Sequence, residues 1–380
     1  MNALNTALAL DHSHSALDLA AITTLPKAAR HTQVLASPQE LRQQLPLTAE
    51  LARRVQQQRE QVRAILKGED SRLLVVIGPC SIHNIDEALE YAERLAVLAQ
   101  QVSEHMLLAM RVYIEKPRTT VGWKGLLYDP HLDGSADMAQ GLQLSRQLML
   151  QMLELNLPVA TELLQPMAAG YFDDLLSWAA IGARTSESQI HREMVSGLAF
   201  PVGFKNGTDG SVGIATDAMR SAAHAHQHFG LDAQGRAALV ATQGNPDTHL
   251  VLRGGHHGPN YDAHSIAQAC AALTQAHVDP ALMVDCSHAN SGKNPQLQPQ
   301  VLQSVLAQRA AGEHRLRAVM LESNLVDGQQ ALCDNLQYGV SITDGCLGWD
   351  ATAQMLLQAV AQLNQTNSGP CVEQYRLESD

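Results

Sequence analysis

The chain has 380 residues, 45% hydrophobic and 17% charged, with a formal net charge of −12. That length and composition describe a globular protein with a sizeable core and exclude a disordered or low-complexity chain. The acidic balance excludes a general nucleic-acid or membrane-surface role, so any anion site must be local.

The opening MNALNTALALDHSHSALDLAA carries Asp11 and His12 early and has no basic stretch ahead of its apolar residues. It is not expected to act as a signal peptide. No run approaches the ~18 apolar residues of a membrane span. Cys80, Cys270, Cys286, Cys333, Cys346 and Cys371 form no CxxC pair. Reduced thiols in a cytoplasm are therefore expected.

Residues 1–70 are expected to form an N-terminal extension and 361–380 a C-terminal tail. Within the extension, SPQELRQQLPLTAELARRVQQQREQVRAILKGED predicts one helical region. Ser37 is a good N-cap before Pro38, Glu40 completes a capping box, and Gly68 lies near the helix end.

From Arg72 onward short apolar runs alternate with longer helical stretches. The runs are LLVVIGPC, MLLAMRVY, LPVATEL, WAAIGAR, FPVGFKN, HLVLRGG, LMVDCSH and AVMLES. Near-continuous apolar runs of this length suit parallel strands buried on both faces. Eight strand–helix units in succession predict a (β/α)8 barrel over residues 71–360, with a doubly wound sheet as the alternative. Residues 223–247, AHAHQHFGLDAQGRAALVATQGNPD, interrupt the rhythm and predict an inserted β-hairpin before the sixth barrel strand.

A barrel enzyme builds its site at the C-terminal ends of its strands. The residues closing the eight runs are Cys80, Arg111 with Lys116, Glu162, Arg184, Lys205, Arg253, His288 and Glu322. Solvated strand ends account for any one of these and account poorly for the whole set. Arg111, Lys116, Arg184, Lys205 and Arg253 would converge on one mouth. Unpaired there, they would repel, and a multiply charged anion such as a carboxylate or phosphate would resolve the repulsion. The glycines of KNGTDGSVG add backbone amides that suit phosphate.

Cys80, His288, Glu322 and Asp344 lie on the first, seventh and eighth strand ends and the loop beyond. Closing the barrel sets the eighth strand beside the first. A thiol, an imidazole and two carboxylates suit one divalent ion: Mn, Fe, Co or Zn. The bland alternatives are a buried apolar Cys80 and a hydrogen-bonded loop His288. SHANSGKN resembles a P-loop, but Ser287 replaces its first glycine and Asn294 its final Ser/Thr. His224, His226 and His228 read as a polar hairpin face. Lys205 could form a Schiff base, but that chemistry does not need the Cys/His/Glu/Asp set.

VVIGPCSIH, MRVYIEKPRTTVGWKGLLYDP, IGARTSESQ, PVGFKNGTDG, LRGG, DCSHANSGK and SITDGCLGW resemble type I 3-deoxy-D-arabino-heptulosonate 7-phosphate (DAHP) synthase over residues 45–355. The resemblance implies a metal-dependent (β/α)8 barrel. It would condense phosphoenolpyruvate with erythrose 4-phosphate and release phosphate, opening the shikimate route to aromatic amino acids. It implies Cys80, His288, Glu322 and Asp344 as metal ligands. It implies Arg111, Lys116, Arg184, Lys205 and Arg253 as phosphoenolpyruvate anchors, with Glu162 nearby and the Ala183 amide contributing. Arg118 and Thr119 look like the contact for the second substrate's phosphate, and Lys116 is expected to donate a proton to the developing alkoxide.

The resemblance also implies feedback inhibition by an aromatic amino acid, through the N-terminal extension and the inserted hairpin. FGLDAQGRAALVATQGNPD looks most like the tyrosine-sensitive type, with Gly230 leaving more room than a serine and Ala199 facing the same region. A homodimer or homotetramer is implied as well. Two alternatives stand beside this. One is 3-deoxy-D-manno-octulosonate 8-phosphate synthase, against which the KPRTT motif and the long N-terminus argue. The other is a non-catalytic anion-binding barrel, which would need a missing ligand or cation.

Overall fold

The computed structural model describes residues 32–367. The chain divides into two compact units, Met1–Leu35 and Ala36–Asp380, and the second carries every element below. The first 31 residues of the expected extension, and residues 368–380 of the expected tail with Cys371, lie outside the described residues.

The single predicted helical region is two helices, α1 (Pro38–Gln44) and α2 (Ala49–Lys67). Pro46 explains the break. It has no N–H and drives the residue before it out of the helical well, and Leu45 sits at φ −126°, ψ 74°. The predicted capping box is present: Ser37 Oγ accepts from the Glu40 amide, and Glu40 Oε2 accepts from the Ser37 amide at 2.7 Å. Gly68 closes α2 at φ 77°, the left-handed cap that glycine adopts at no steric cost.

Eight parallel strands close a barrel. They are β1 (Leu73–Gly78), β2 (Met106–Arg111), β3 (Val159–Glu162), β4 (Trp178–Ile181), β5 (Val202–Lys205), β8 (Thr248–Leu252), β9 (Leu282–Asp285) and β10 (Leu316–Glu322), in the order β1-β10-β9-β8-β5-β4-β3-β2. Each matches one of the eight apolar runs, so the barrel stands and the doubly wound sheet does not. The hairpin is present as antiparallel β6 (Gln227–Leu231) and β7 (Ala237–Ala241), with Phe229 opposite Leu239. Helices α3 (Ile85–Val102), α4 (Met138–Glu154), α5 (Pro166–Phe172), α6 (Gln189–Val195), α7 (Gly213–Ala222), α8 (Ala263–Gln275), α9 (Gln298–Ala310) and α10 (Trp349–Asn367) follow the strands.

The apolar face of α2 plugs the barrel. Val62, Ile65 and Leu66 join Leu74, Val76, Trp178, Met283 and Met320 in one buried cluster. Each fully buried aliphatic side chain there contributes about 1.5–3 kcal/mol. Inside the barrel Trp178 Nε1 donates to His249 Nε2 at 2.8 Å. Burial pushes the His249 imidazole down to about 4, so it stays neutral in the core. With α2 below, the carboxyl ends of the strands are left for chemistry.

Arg146 on α4 ties the helical shell together. It is fully buried, grips Asp174 at 2.7 and 2.8 Å, and donates to the Leu45 and Tyr171 carbonyls. Removing one partner of a buried pair leaves the others unsatisfied. Arg146→Met is therefore expected to lower stability by about 3 kcal/mol. Urea melts would measure this, and a loss under about 0.5 kcal/mol would contradict it.

Candidate active site

The site grows from two loops and two strand ends. Beyond β1, Pro79 leads to Cys80, which is fully buried. Beyond β2 no helix forms over Val112–Lys116, and Pro117 disfavours helix at the residue before it. The Lys116 amide donates to the Lys124 carbonyl at 2.8 Å and the Leu127 amide to the Ile114 carbonyl at 3.1 Å, folding this segment into a closed loop. Its geometry aims Lys116 inward: Nζ lies 2.7 Å from Cys80 Sγ and 3.1 Å from Asp344 Oδ2.

Asp344 is held from two sides, since Lys293 Nζ reaches its Oδ1 at 3.2 Å. Burial alone would raise the Asp344 carboxyl. The Lys116 and Lys293 ammoniums outweigh burial and hold it well below the usual carboxylate range. Burial likewise works against the charge on Lys116, but Cys80, Glu322 and Asp344 raise its ammonium above the ordinary value, and it keeps its proton.

At the end of β10, Glu322 Oε1 accepts from Arg111 Nη2 at 3.0 Å. Gln298 locks the Glu322 backbone with two hydrogen bonds of 2.8 Å, one to its carbonyl and one from its amide. Arg111 also lies 3.6 Å over the Tyr113 ring, a cation–π contact that fixes the guanidinium in place. Glu322 stays ionised despite full burial, because His288, Arg111 and Lys116 outweigh desolvation.

A second charged cluster spans β3, β5 and β9. Lys205 Nζ sits 3.3 Å from Asp285 Oδ2 and 3.9 Å from Glu162 Oε2. Gly182 makes this approach possible, because a Cβ there would meet Glu162 Oε1 at 2.5 Å. Asp285 also takes His288: its Oδ2 is 2.8 Å from Nδ1, and Ser287 Oγ donates to its Oδ1 at 2.6 Å. His288 adopts φ 52°, a left-handed conformation that costs a non-glycine residue about 1–2 kcal/mol. The turn that holds it there is closed by the Lys293 amide on the His288 carbonyl and by Asn290, whose side chain donates to the Leu252 and Asp285 carbonyls.

Of the five cations expected to converge at this mouth, Arg111, Lys116 and Lys205 each already face a carboxylate. Among the described residues Arg118, Arg184 and Arg253 form no ion pair. Arg184 is exposed beside Ala183, and Arg253 is half-buried, its amide donating to Asn206 Oδ1 at 2.8 Å. Arg118 and Thr119 are exposed on the loop. A cavity of about 230 Å3 opens there, lined by Glu115, Lys116, Arg118, Thr120, Lys124 and Tyr128.

Ligand atoms of Cys80, Glu322 and Asp344 all lie within 4.8 Å of one another, so these three could hold a metal ion. One soft and two hard donors around a charged lysine fit a divalent transition metal. His288 stands outside this group but lines the same cleft with Glu322, Asp344 and Lys293. Its Nδ1 is oriented by a buried carboxylate, the usual arrangement behind a ligating imidazole.

Counting residues that close the apolar runs misses Asp285, Gln298 and Lys293. Asp285 sits inside LMVDCSH, three positions ahead of His288, and Lys293 belongs to the segment that only resembles a P-loop. Of the regulatory residues, Ala199 is exposed and its carbonyl faces Arg63 Nη2 at 3.5 Å. Gly230 lies on the less exposed hairpin face, where a Cβ would meet Val240 Cγ2 at 2.8 Å. His224, His226 and His228 each turn a ring nitrogen to a backbone carbonyl, but only His228 lies on β6; His224 and His226 reach the Arg220 and Ser221 carbonyls of α7.

A family model described as the DAHP synthetase I family matches residues 47–357. The chain belongs to that family. It is an enzyme, a type I DAHP synthase, as the motif resemblance implied. Among relatives of this family, the tyrosine-sensitive phospho-2-dehydro-3-deoxyheptonate aldolase of Escherichia coli K12 is 50% identical over 335 residues, 87% of this chain and 94% of its own. The phenylalanine-inhibited enzyme of Saccharomyces cerevisiae is 44% identical, covering 85% of this chain and 89% of its own. A solved phospho-2-dehydro-3-deoxyheptonate aldolase from Francisella tularensis SCHU S4 is 40% identical, with TM-score 0.87 over 90% of this chain and 100% of that one.

Proposed function

We propose that the chain condenses phosphoenolpyruvate with D-erythrose 4-phosphate and water, forming DAHP and inorganic phosphate, under feedback control by an aromatic amino acid, with tyrosine favoured. The supporting observation is the crowding of Lys116 Nζ against Cys80 and Asp344 at the strand ends, with Arg111, Lys205, Arg184 and Arg253 on the same side of the barrel.

Two phosphorylated substrates bring several negative charges together. Arg111, Lys116, Arg184, Lys205 and Arg253, with the Ala183 amide and Glu162, offset that charge around phosphoenolpyruvate. Arg118 and Thr119 hold the aldose phosphate at the outer cavity. C3 of phosphoenolpyruvate then forms the new bond to the aldehyde carbon. Lys116 delivers its Nζ proton to the aldehyde oxygen, which becomes a hydroxyl. The C2=C3 π pair supplies the new bond and leaves C2 electron-poor, so water adds at C2. The C–O bond to phosphate breaks with its electron pair on phosphate, and C2 becomes the ketone. One proton of the water restores Lys116 and the other leaves with phosphate. Cys80, His288, Glu322 and Asp344 are the residues that would hold one divalent ion, Mn, Fe, Co or Zn, and when bound it supplies a Lewis acid.

Regulation rests on residues 36–70 of the N-terminal extension and the β6–β7 hairpin, which meet where the Gln39 amide donates to the Ala233 carbonyl at 2.9 Å, with Ala199 and Gly230 as proposed effector contacts. The tyrosine-sensitive E. coli relative supports this, although the phenylalanine-sensitive enzyme of the same organism is 47% identical. The exposed apolar face of the hairpin, with Phe229 78% and Leu239 73% exposed, favours a homo-oligomer. No helix among the described residues is long and apolar enough to cross a membrane. We place the enzyme in the cytoplasm on its cysteine usage, the described cysteines all being free thiols.

One assay tests the whole: phosphate release from phosphoenolpyruvate with either erythrose 4-phosphate or arabinose 5-phosphate, alone and with each of tyrosine, phenylalanine and tryptophan. Release with the tetrose is expected to exceed that with the pentose by about a hundredfold, and tyrosine is expected to suppress it. Release with the pentose only would favour the octulosonate synthase. Release with neither would favour a non-catalytic barrel. Indifference to all three amino acids would remove the regulatory claim.

A further inference from the structure

Glu115 precedes Lys116 and is buried, only 3% of it being exposed. A carboxyl so placed must be held by donors. Its Oε2 accepts from the amides of Leu164 at 3.3 Å and Gln165 at 3.4 Å. Its Oε1 accepts from Tyr128 Oη at 3.2 Å. Leu164 and Gln165 belong to the β3–α5 loop, just beyond Glu162, while Tyr128 closes the loop that carries Lys116 and Arg118. One carboxyl therefore joins the two loops that flank the outer cavity, and it forms part of the cavity wall. The far loop is anchored in turn by His191 of α6, whose Nε2 contacts the Leu164 carbonyl at 2.8 Å.

We propose that Glu115 is a positioning residue whose carboxylate clamps the loop carrying Lys116 and Arg118 onto the β3–α5 loop, and so sets where Lys116 meets the aldehyde and where Arg118 meets the aldose phosphate. This rests on the condensation proposed above.

The clamp is complete only when Glu115 is ionised. A carboxylate accepts all three hydrogen bonds. The two amides can only donate, so a proton on the acid must sit on Oε1. Tyr128 would then have to accept instead of donate, and its own proton would lose this partner. Burial pushes the Glu115 carboxyl up to about 7, with the nearby Glu162 acting in the same direction against the three hydrogen bonds. The other groups around it are Tyr128, Lys116, Arg118 and Lys124 on the cavity side and His191 behind the far loop. The clamp thus tightens as pH rises through neutrality.

Glu115→Gln is nearly isosteric and stands in for the protonated acid at every pH. The test compares kcat/KM for erythrose 4-phosphate in the metal-loaded wild type and this variant from about pH 6 to 8.5. The substrate phosphate titrates near about 6, but it does so equally for both proteins and cancels in their ratio. The ratio of wild type to variant is expected to be under about twofold at the acid end and to rise to about tenfold at the alkaline end, with its midpoint near 7. Tyr128→Phe removes a hydrogen bond to the ionised form and is expected to move the wild-type midpoint upward. It also carries the test if Glu115→Gln does not fold. A flat ratio, or a midpoint indifferent to Tyr128→Phe, overturns the proposal. A wild type with no turnover on erythrose 4-phosphate would overturn the condensation itself, which is a different result.

Discussion

Lys116→Met is expected to lower kcat by about 10²–10⁴-fold, the usual span for loss of a positioned proton donor, while the KM for phosphoenolpyruvate moves by less than about threefold. Methionine keeps most of the length and volume of lysine but removes the ammonium that sits 2.7 Å from Cys80 Sγ and 3.1 Å from Asp344 Oδ2. The variant keeps four of the five anchors for phosphoenolpyruvate, Arg111, Arg184, Lys205 and Arg253, so most ground-state binding survives. The larger loss comes as the aldehyde oxygen takes on charge. Because Lys116 touches two residues of the proposed metal group, the variant's metal content must be measured alongside kcat. A variant that keeps its metal and its kcat within about threefold of wild type would refute the role.

Metal removal is expected to have the other large effect. Dialysis against EDTA should abolish phosphate release, and adding back Mn, Co or Zn should restore it. Cys80→Ala should lose both the metal and the activity. Binding should also stabilise the fold, by about 2.7 kcal/mol at a free metal concentration roughly a hundred times Kd. Affinity should fall at low pH. Burial and the Glu322 charge push the Cys80 thiol up, so the metal must displace a proton there, and protons compete more strongly as pH falls. Full turnover in a protein shown by elemental analysis to hold no metal would overturn the assignment of Cys80, His288, Glu322 and Asp344.

The strand ends are legible in the chain because their signal is local. An apolar run of about four to eight residues announces a buried parallel strand wherever it lies, and the residue closing it follows by counting. Lys205, His288 and Glu322 come into view in that way from residue order alone. Pro46 signals its helix break just as locally, but the helical spacing resumes immediately after it and masks the interruption.

The pairings are not local. Arg111 meets Glu322 across 211 positions and Cys80 meets Asp344 across 264. Such contacts exist only because β10 hydrogen-bonds to β1 and closes the barrel. Residue types and their order determined by themselves the eight strands, the hairpin and the family. Tertiary structure alone decided which cations are already neutralised, that Asp285 orients His288 and grips Lys205, that Gln298 locks Glu322, and that Glu115 joins two loops. The physical reason is burial. A charge on a strand end can be read from the chain, but its partner, its protonation and its aim depend on what the closed barrel packs against it.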